Sequence, residues 1–312
     1  MRLPYEAMGQ PLPAGEGEEP MNNFARTMRR EMWYILFLVP GVLLFAFAVI
    51  APFVAGVRYS FTSWDGVSRK LTYIGLDNYV NAFQDADLWT VLGNTFKYAI
   101  ILTILVNVVS ILLALLLDSY LPLRNLFRTV FFLPSVISVV LAGFIWSYNY
   151  SQGFPKLLTH FGLDVTSPLG NPNQALIGLI IIAVWQGVGT PMIIYIAGLQ
   201  NIPVELTESA RIDGAGPFRV FRSVTLPLLG PSVTINMLLV LTGSLKVFDL
   251  VYVTTNGGPG FATEVISTFI YKNAFSSFKA GYGMALSMIF FVILVAVTIV
   301  QVSIFRKREV EV

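Results

Sequence analysis

The 312-residue chain contains no cysteine and a single histidine, His160. Disulfide frameworks, thiolate catalysis and zinc–thiolate sites are excluded together, as is a cluster of histidine ligands. Charge is scarce as well. Asp, Glu, Lys and Arg make up 12% of the residues, about half the share of an ordinary soluble domain, which is too little to cover a water-facing surface and excludes a soluble enzyme. The 20 basic and 18 acidic side chains leave a net charge of +2, so there is no long-range field to attract nucleic acid. No Gly-Lys dipeptide occurs anywhere. A loop that wraps nucleotide phosphates ends in Gly-Lys-Ser or Gly-Lys-Thr, so any ATP used is hydrolysed by another polypeptide. Without a second histidine no nucleophile–base set can be composed, and catalysis by this chain is not expected.

What the chain has in excess is apolar sequence, at 55% of residues and a mean hydropathy of +0.70. A spanning helix needs about 20 mostly apolar residues. Six charge-free runs reach that size, at 32–57, 98–117, 129–155, 165–204, 223–245 and 280–305. They predict an all-α integral membrane protein with six transmembrane helices. In the fourth run, Thr166-Ser-Pro-Leu-Gly-Asn-Pro-Asn173 is rich in turn residues, which confines the helix to about 175–199. The fifth helix is expected to continue through Lys246 and Asp249, over 229–253. The first run exceeds the length of a signal-peptide core and is read as a retained helix.

Alternate connections carry twelve Lys and Arg on one side (Arg2, Arg26, Arg29, Arg30, Arg124, Arg128, Arg211, Arg219, Arg222, Arg306, Lys307, Arg308) and seven on the other. That bias predicts cytoplasmic N- and C-termini in a cell membrane. Residues 1–30 read as a mobile cytoplasmic tail, 31–308 as the membrane domain and 309–312 as a short C-terminal tail. Between the first two spans, Ile74-Gly-Leu-Asp-Asn-Tyr-Val-Asn-Ala-Phe83 puts Tyr79 and Phe83 on one face of an interfacial helix. His160 reads as a solvated loop residue.

Lys246 and Asp249 are three apart, so on a helix they share a face and pair. Two roles fit, a structural ion pair at a protein–protein seam or a polar wall of a substrate cavity, and both keep this face away from lipid. Trp185-Gln-Gly-Val-Gly-Thr-Pro191 interrupts a helix with two glycines and a proline, either as a packing kink or as a discontinuous transporter helix. The connection at 201–227 reads as a helical elbow. Pro203 suits a first turn, Glu205 and Glu208 suit the positive end of the helix dipole, Gly214 and Gly216 stop the helix through positive φ, and Pro217 starts another.

Within that elbow, Glu208-Ser209-Ala210, Gly214, Val224 and Leu226-Pro227 resemble the Glu-Ala-Ala loop of permease subunits from binding-protein-dependent ABC importers, with Ser209 for the usual Ala and Val224 for the usual Ile. Arg211-Ile-Asp-Gly-Ala-Gly216, Thr225-Leu-Pro-Leu-Leu229 and Phe127-Arg-Thr-Val-Phe-Phe-Leu-Pro134 resemble the carbohydrate-uptake branch. Lys246-Val-Phe-Asp-Leu-Val-Tyr-Val-Thr-Thr-Asn-Gly-Gly-Pro-Gly260 is similar to the maltose-permease type. The likeness runs from about residue 30 to the C-terminus.

The resemblance implies the type I ABC importer permease fold and a transmembrane subunit that forms half of the pathway for a sugar or oligosaccharide. It implies as partners a second, related permease in a heterodimer, two cytoplasmic ABC ATPases that hold the ATP and Mg, and an extracytoplasmic solute-binding protein. No cofactor is expected in this chain. By the same resemblance, Glu205, Glu208, Ser209, Ala210, Arg211, Asp213 and Gly214 form an ATPase-coupling helix. Gln186, Gly187, Thr190, Ser244, Lys246, Val247, Phe248 and Asp249 line the substrate pathway, and Asn256, Gly257, Gly258 and Pro259 form an outer loop. Alternatives are import of a polyol or glycerol-phosphate by the same machinery, a self-sufficient secondary carrier or channel, and a membrane scaffold. Only Lys246 and Asp249 are ionisable inside an expected span, which weighs against an ion-coupled carrier.

Overall fold

The computed structural model describes residues 32, 34, 36–119, 122–162 and 166–306, which form helices and connections without a strand. The expected tails at 1–30 and 309–312, with most of the arginines that set the charge bias, lie outside the described residues. The chain divides into two units, Met1–Gly56 and Val57–Val312. Helix α1 (Leu36–Tyr59) is one of three long apolar helices among the described residues; the others are α3 (Ala86–Asp118), preceded by the short α2 (Asp77–Gln84), and a C-terminal helix.

The next three spans are each broken. Helices α4 (Arg124–Val136) and α5 (Val139–Thr159) meet at 97°, and α6 (Ala175–Gly187) and α7 (Gly189–Gln200) at 47°. After the short α8 (Val204–Ile212), helices α9 (Pro217–Leu228) and α10 (Gly230–Leu245) meet at 70°. Two further short helices, α11 (Asp249–Thr254) and α12 (Ile266–Tyr271), lead to the last span, α13 (Ala280–Arg306). With each bent pair counted as one span, six cross, as the charge-free runs predict.

The boundaries differ where apolar content misleads. Helix α3 starts well before residue 98 because the Asp85 side chain caps it, accepting from the Asp87 N–H at 2.9 Å. The run at 129–155 is not one straight helix. Pro134 removes a helix hydrogen bond, and Ile137 and Ser138 are extended, with ψ of 137° and 136°. The fifth span does not continue to residue 253. It stops at Leu245, and Phe248, at φ −136° and ψ −63°, separates α10 from α11.

Helix α3 ties the second unit together, contributing Leu88, Val91 and Ala99 to one apolar cluster, Tyr98, Leu102 and Val106 to a second, and Ala114 and Leu117 to a third. Lipid is as apolar as these side chains, so buried polar contacts matter more here than in a water-soluble core. The Tyr195 hydroxyl donates to Asn107 Oδ1 at 2.6 Å, and Asn236 Nδ2 donates to the Pro191 carbonyl at 3.2 Å. Outward, Val292, Val295 and Ile299 of α13 are bare, an apolar face suited to lipid and unsuited to water.

Candidate functional site

Helix breaks free backbone carbonyls, and inside a membrane these need partners. Gln186 supplies one, its Nε2 donating to the Ile137 carbonyl at 2.7 Å while its own carbonyl accepts from Ser135 Oγ at 2.8 Å. The bends of the third and fourth spans are therefore stapled to each other. Ser110 Oγ of α3 donates to the Val188 carbonyl at 2.9 Å, a second bond to an oxygen that already accepts from the Met192 N–H at 3.0 Å, and so ties α3 to the fourth break. The segment Trp185 to Pro191 thus holds the 47° bend between α6 and α7, with the Gln186 carbonyl answered by a side chain.

These breaks and the α10–α11 break surround a cavity of about 470 Å³. Gln186, Gly187, Thr190, Ser244, Lys246, Val247, Phe248 and Asp249 all line it, beside Tyr98, Ser135 and Ile137. Lys246 and Asp249 are exposed into this space, and no ion pair joins them. The expectation of a helical pair fails because the helix that would align them ends at Leu245. No glycine or proline lies between 246 and 248; what accompanies the break is ring packing. Phe248 stacks on Tyr252 at 5.2 Å and meets Tyr271 edge-on at 5.4 Å. The cavity wall therefore combines an aromatic face, hydroxyls, a carboxamide and one charge of each sign.

Asn256, Gly257, Gly258 and Pro259 form a tight loop between α11 and α12. Asn256 and Gly257 have φ of 46° and 82°. The loop folds around Glu264, a residue sequence reasoning missed, whose side chain is 2% exposed. Lys272 Nζ binds Glu264 Oε2 at 2.6 Å and donates to the Asn256 carbonyl at 2.7 Å. A Cβ on Gly257 would collide with the Glu264 carboxylate, so glycine is required there by space as well as by φ. Thr263 Oγ1 donates to the Gly258 carbonyl at 2.7 Å, and Asn94 of α3 anchors the Phe261 carbonyl at 2.9 Å. The periodicity of 264–272 carries no sign of the ion pair, because its purpose lies in a loop eight residues upstream.

The elbow is built differently. Helix α8 begins at Val204 with Pro203 as its N-cap residue, one place earlier than a first-turn position. Glu205 lies in the first turn, whereas Glu208 sits a turn further on and gains little from the dipole. The helix closes in a Schellman motif, with Ala215 N–H donating to the Ala210 carbonyl and Gly214 N–H to the Arg211 carbonyl, both at 3.0 Å. Gly214 takes the left-handed φ of 82° that this closure needs. Gly216 does not; it is extended at φ −68° and leads into Pro217 at the first turn of α9. Glu208, Ser209, Arg211 and Asp213 are exposed and Ala210 is half-buried. Ile212 and Phe218 stand out at 86% and 73% exposure. Among the described residues no three His, Asp or Glu side chains gather as metal ligands.

Residues 106–309 match the family described as the binding-protein-dependent transport system inner membrane component. That stretch holds most of the cavity wall, the elbow and the loop around Glu264. The chain belongs to this family. The permease is 36% identical over 289 residues to the probable starch degradation products transport system permease protein AmyD of Thermoanaerobacterium thermosulfurigenes, with 92% of this chain and 98% of that protein covered. It is 32% identical to the multiple sugar-binding transport system permease protein MsmF of Streptococcus mutans, covering 91% and 99% respectively. Its fold matches a chain of a bacterial alginate ABC transporter, solved with an alginate pentasaccharide-bound periplasmic protein, at a TM-score of 0.80 and 22% identity over 90% of this chain and 96% of that one. The permease is a non-catalytic, multi-pass membrane subunit with the type I importer fold.

Proposed function

We propose that this permease lines one half of a sugar or oligosaccharide pathway and couples passage to ATP hydrolysed, with Mg, by two separate cytoplasmic ATPase subunits. A second, related permease completes the pathway, and an extracytoplasmic solute-binding protein delivers the sugar. The termini and the elbow face the cytoplasm, and the loop around Glu264 faces outward. The names of the sugar-transport relatives support the substrate class, and the solved alginate transporter supports delivery by a binding protein.

One observation carries the reading. Helix α8 sits between α7 and α9–α10, and the cavity is lined by the N-terminal part of α7 and the C-terminal part of α10. A short helix stiffened by backbone hydrogen bonds and closed by a Schellman motif transmits rigid-body motion. Moving α8 therefore moves two cavity walls, which is the mechanical requirement for alternating access. Inside, Phe248 offers a ring face to sugar C–H groups, while Thr190, Ser244 and the free Oε1 of Gln186 meet hydroxyls.

Cysteines introduced at Ser209 and Ala210 of the assembled transporter should crosslink to the ATPase surface, and uptake into proteoliposomes should require every partner. Robust sugar uptake by the permease alone, or a working assembly in which those cysteines never reach the ATPase, would overturn the proposal.

A further inference from the structure

A second concavity, of about 530 Å³, lies where α2 packs and α13 begins. Its size falls in the range of small-molecule sites, roughly 300–1,000 Å³. Its wall is rich in carboxamides, and the free groups are mixed in kind. Asn81 and Gln84 of α2 are exposed, and their side chains make no hydrogen bond among the described residues. Asn273 Nδ2 donates to the Phe269 carbonyl at 3.0 Å, which leaves its Oδ1 as an acceptor. Lys279 brings one positive charge and Asp85 one negative. The carboxylate is engaged at both oxygens, by Tyr282 at 3.0 Å and by its own capping bond at 2.9 Å.

The apolar part of the wall is held in place. Trp64 donates from Nε1 to the Ser68 carbonyl at 2.9 Å and rests on Tyr59 with ring centroids 4.6 Å apart. Phe278 is 61% exposed and occupies the left-handed region at φ 53°, a conformation bulky residues rarely adopt and one that collects at ligand sites. Asn78 fixes the floor, donating from Nδ2 to the Ser60 and Thr62 carbonyls at 2.8 and 2.9 Å.

From this wall we infer a second binding site on the permease, which takes a neutral saccharide before it reaches the cavity at the helix breaks. An anion would meet the Asp85 carboxylate, a cation would meet Lys279, and an apolar ligand would bury four carboxamides. A pyranose ring supplies the complement, with hydroxyls that both donate and accept around its rim and a C–H face for Trp64. The inference rests on the outward orientation and sugar substrate proposed above.

The test uses the assembled transporter in nanodiscs without its binding protein. Emission from Trp64, isolated by difference against Trp64→Phe, is followed during titration with maltotriose, cellotriose, xylotriose and raffinose. At least one should shift the emission saturably. Asn81→Ala/Gln84→Ala should raise its half-saturating concentration about tenfold, because each substitution removes one hydrogen bond. Thermal stability should stay unchanged. If none of the four sugars moves Trp64 emission, the site is not a saccharide site. If the double variant instead weakens docking of the binding protein with no sugar present, the concavity is a protein contact; either result overturns the inference. Wild-type uptake is measured in parallel, so failure of this site is distinguishable from failure of the transport reading.

Discussion

The elbow at 201–227 and the loop at 255–265 are connections of the same permease, yet they are stabilised in opposite ways. The loop is completed from within: a buried carboxylate, a lysine, two threonines and a carboxamide from α3 satisfy it. The elbow is held by its own backbone hydrogen bonds and presents Ile212 and Phe218 bare. A segment tied down by its own side chains serves as a fixed wall, whereas one that leaves apolar side chains uncovered is shaped for something outside the chain. The contrast predicts that substitutions in the loop cost stability and substitutions in the elbow cost coupling.

The largest effect is expected from Lys272→Met, which strands the Glu264 carboxylate. Losing one partner of a buried pair costs about 3–5 kcal/mol, and about 3 is expected here because Lys272 retains 32% exposure. Thermal melting of the purified complex checks it, and a wild-type melting curve would break the contrast. Next, Ile212→Asp should leave the melt unchanged and weaken ATPase association at least tenfold, the loss of about 1.5–3 kcal/mol of burial. Co-purification and uptake report it, and a fall in melting temperature instead would make the elbow a structural element. Gly214→Ala places a side chain at a φ of 82° for about 1–2 kcal/mol. It should lower sugar transported per ATP more than it lowers stability.

The smallest effect concerns Asp65, whose carboxylate accepts from the Ser68 and Val67 backbone N–H groups at 2.8 and 2.9 Å. Those bonds hold its pKa below the ordinary 3.8. Their contribution is complete above that value and fades as the pH falls through the lowered one. Trp64 emission should therefore hold steady on acidification down to about the ordinary value, and Asp65→Asn should shift it at neutral pH.

Much of this architecture is legible in the residues because its signals are local. Charge-free runs mark six spans, and Gly214 and Pro217 mark the end of one elbow helix and the start of the next. The residues grouped by the family likeness do lie around one cavity. Other features are silent in sequence because their causes are distant. Ile137 and Ser138 leave the helix within an apolar run, and the carbonyl they free is answered by a side chain 49 positions away. Lys246, Val247 and Phe248 contain no helix breaker, and the stop coincides with rings brought in from α12. Glu264 looks like a surface residue until the loop closes over it.

The reciprocal bonds among Ser135, Ile137 and Gln186 have a mechanical corollary. They act as a hinge pin driven through two bent rods, so neither rod can swing by itself without stripping the Ile137 oxygen of its partner. Opening and closing of the central chamber must then carry both bends as one lever, and the give in the machinery is displaced to the third fracture, at Lys246 to Phe248, where no such pin is fitted.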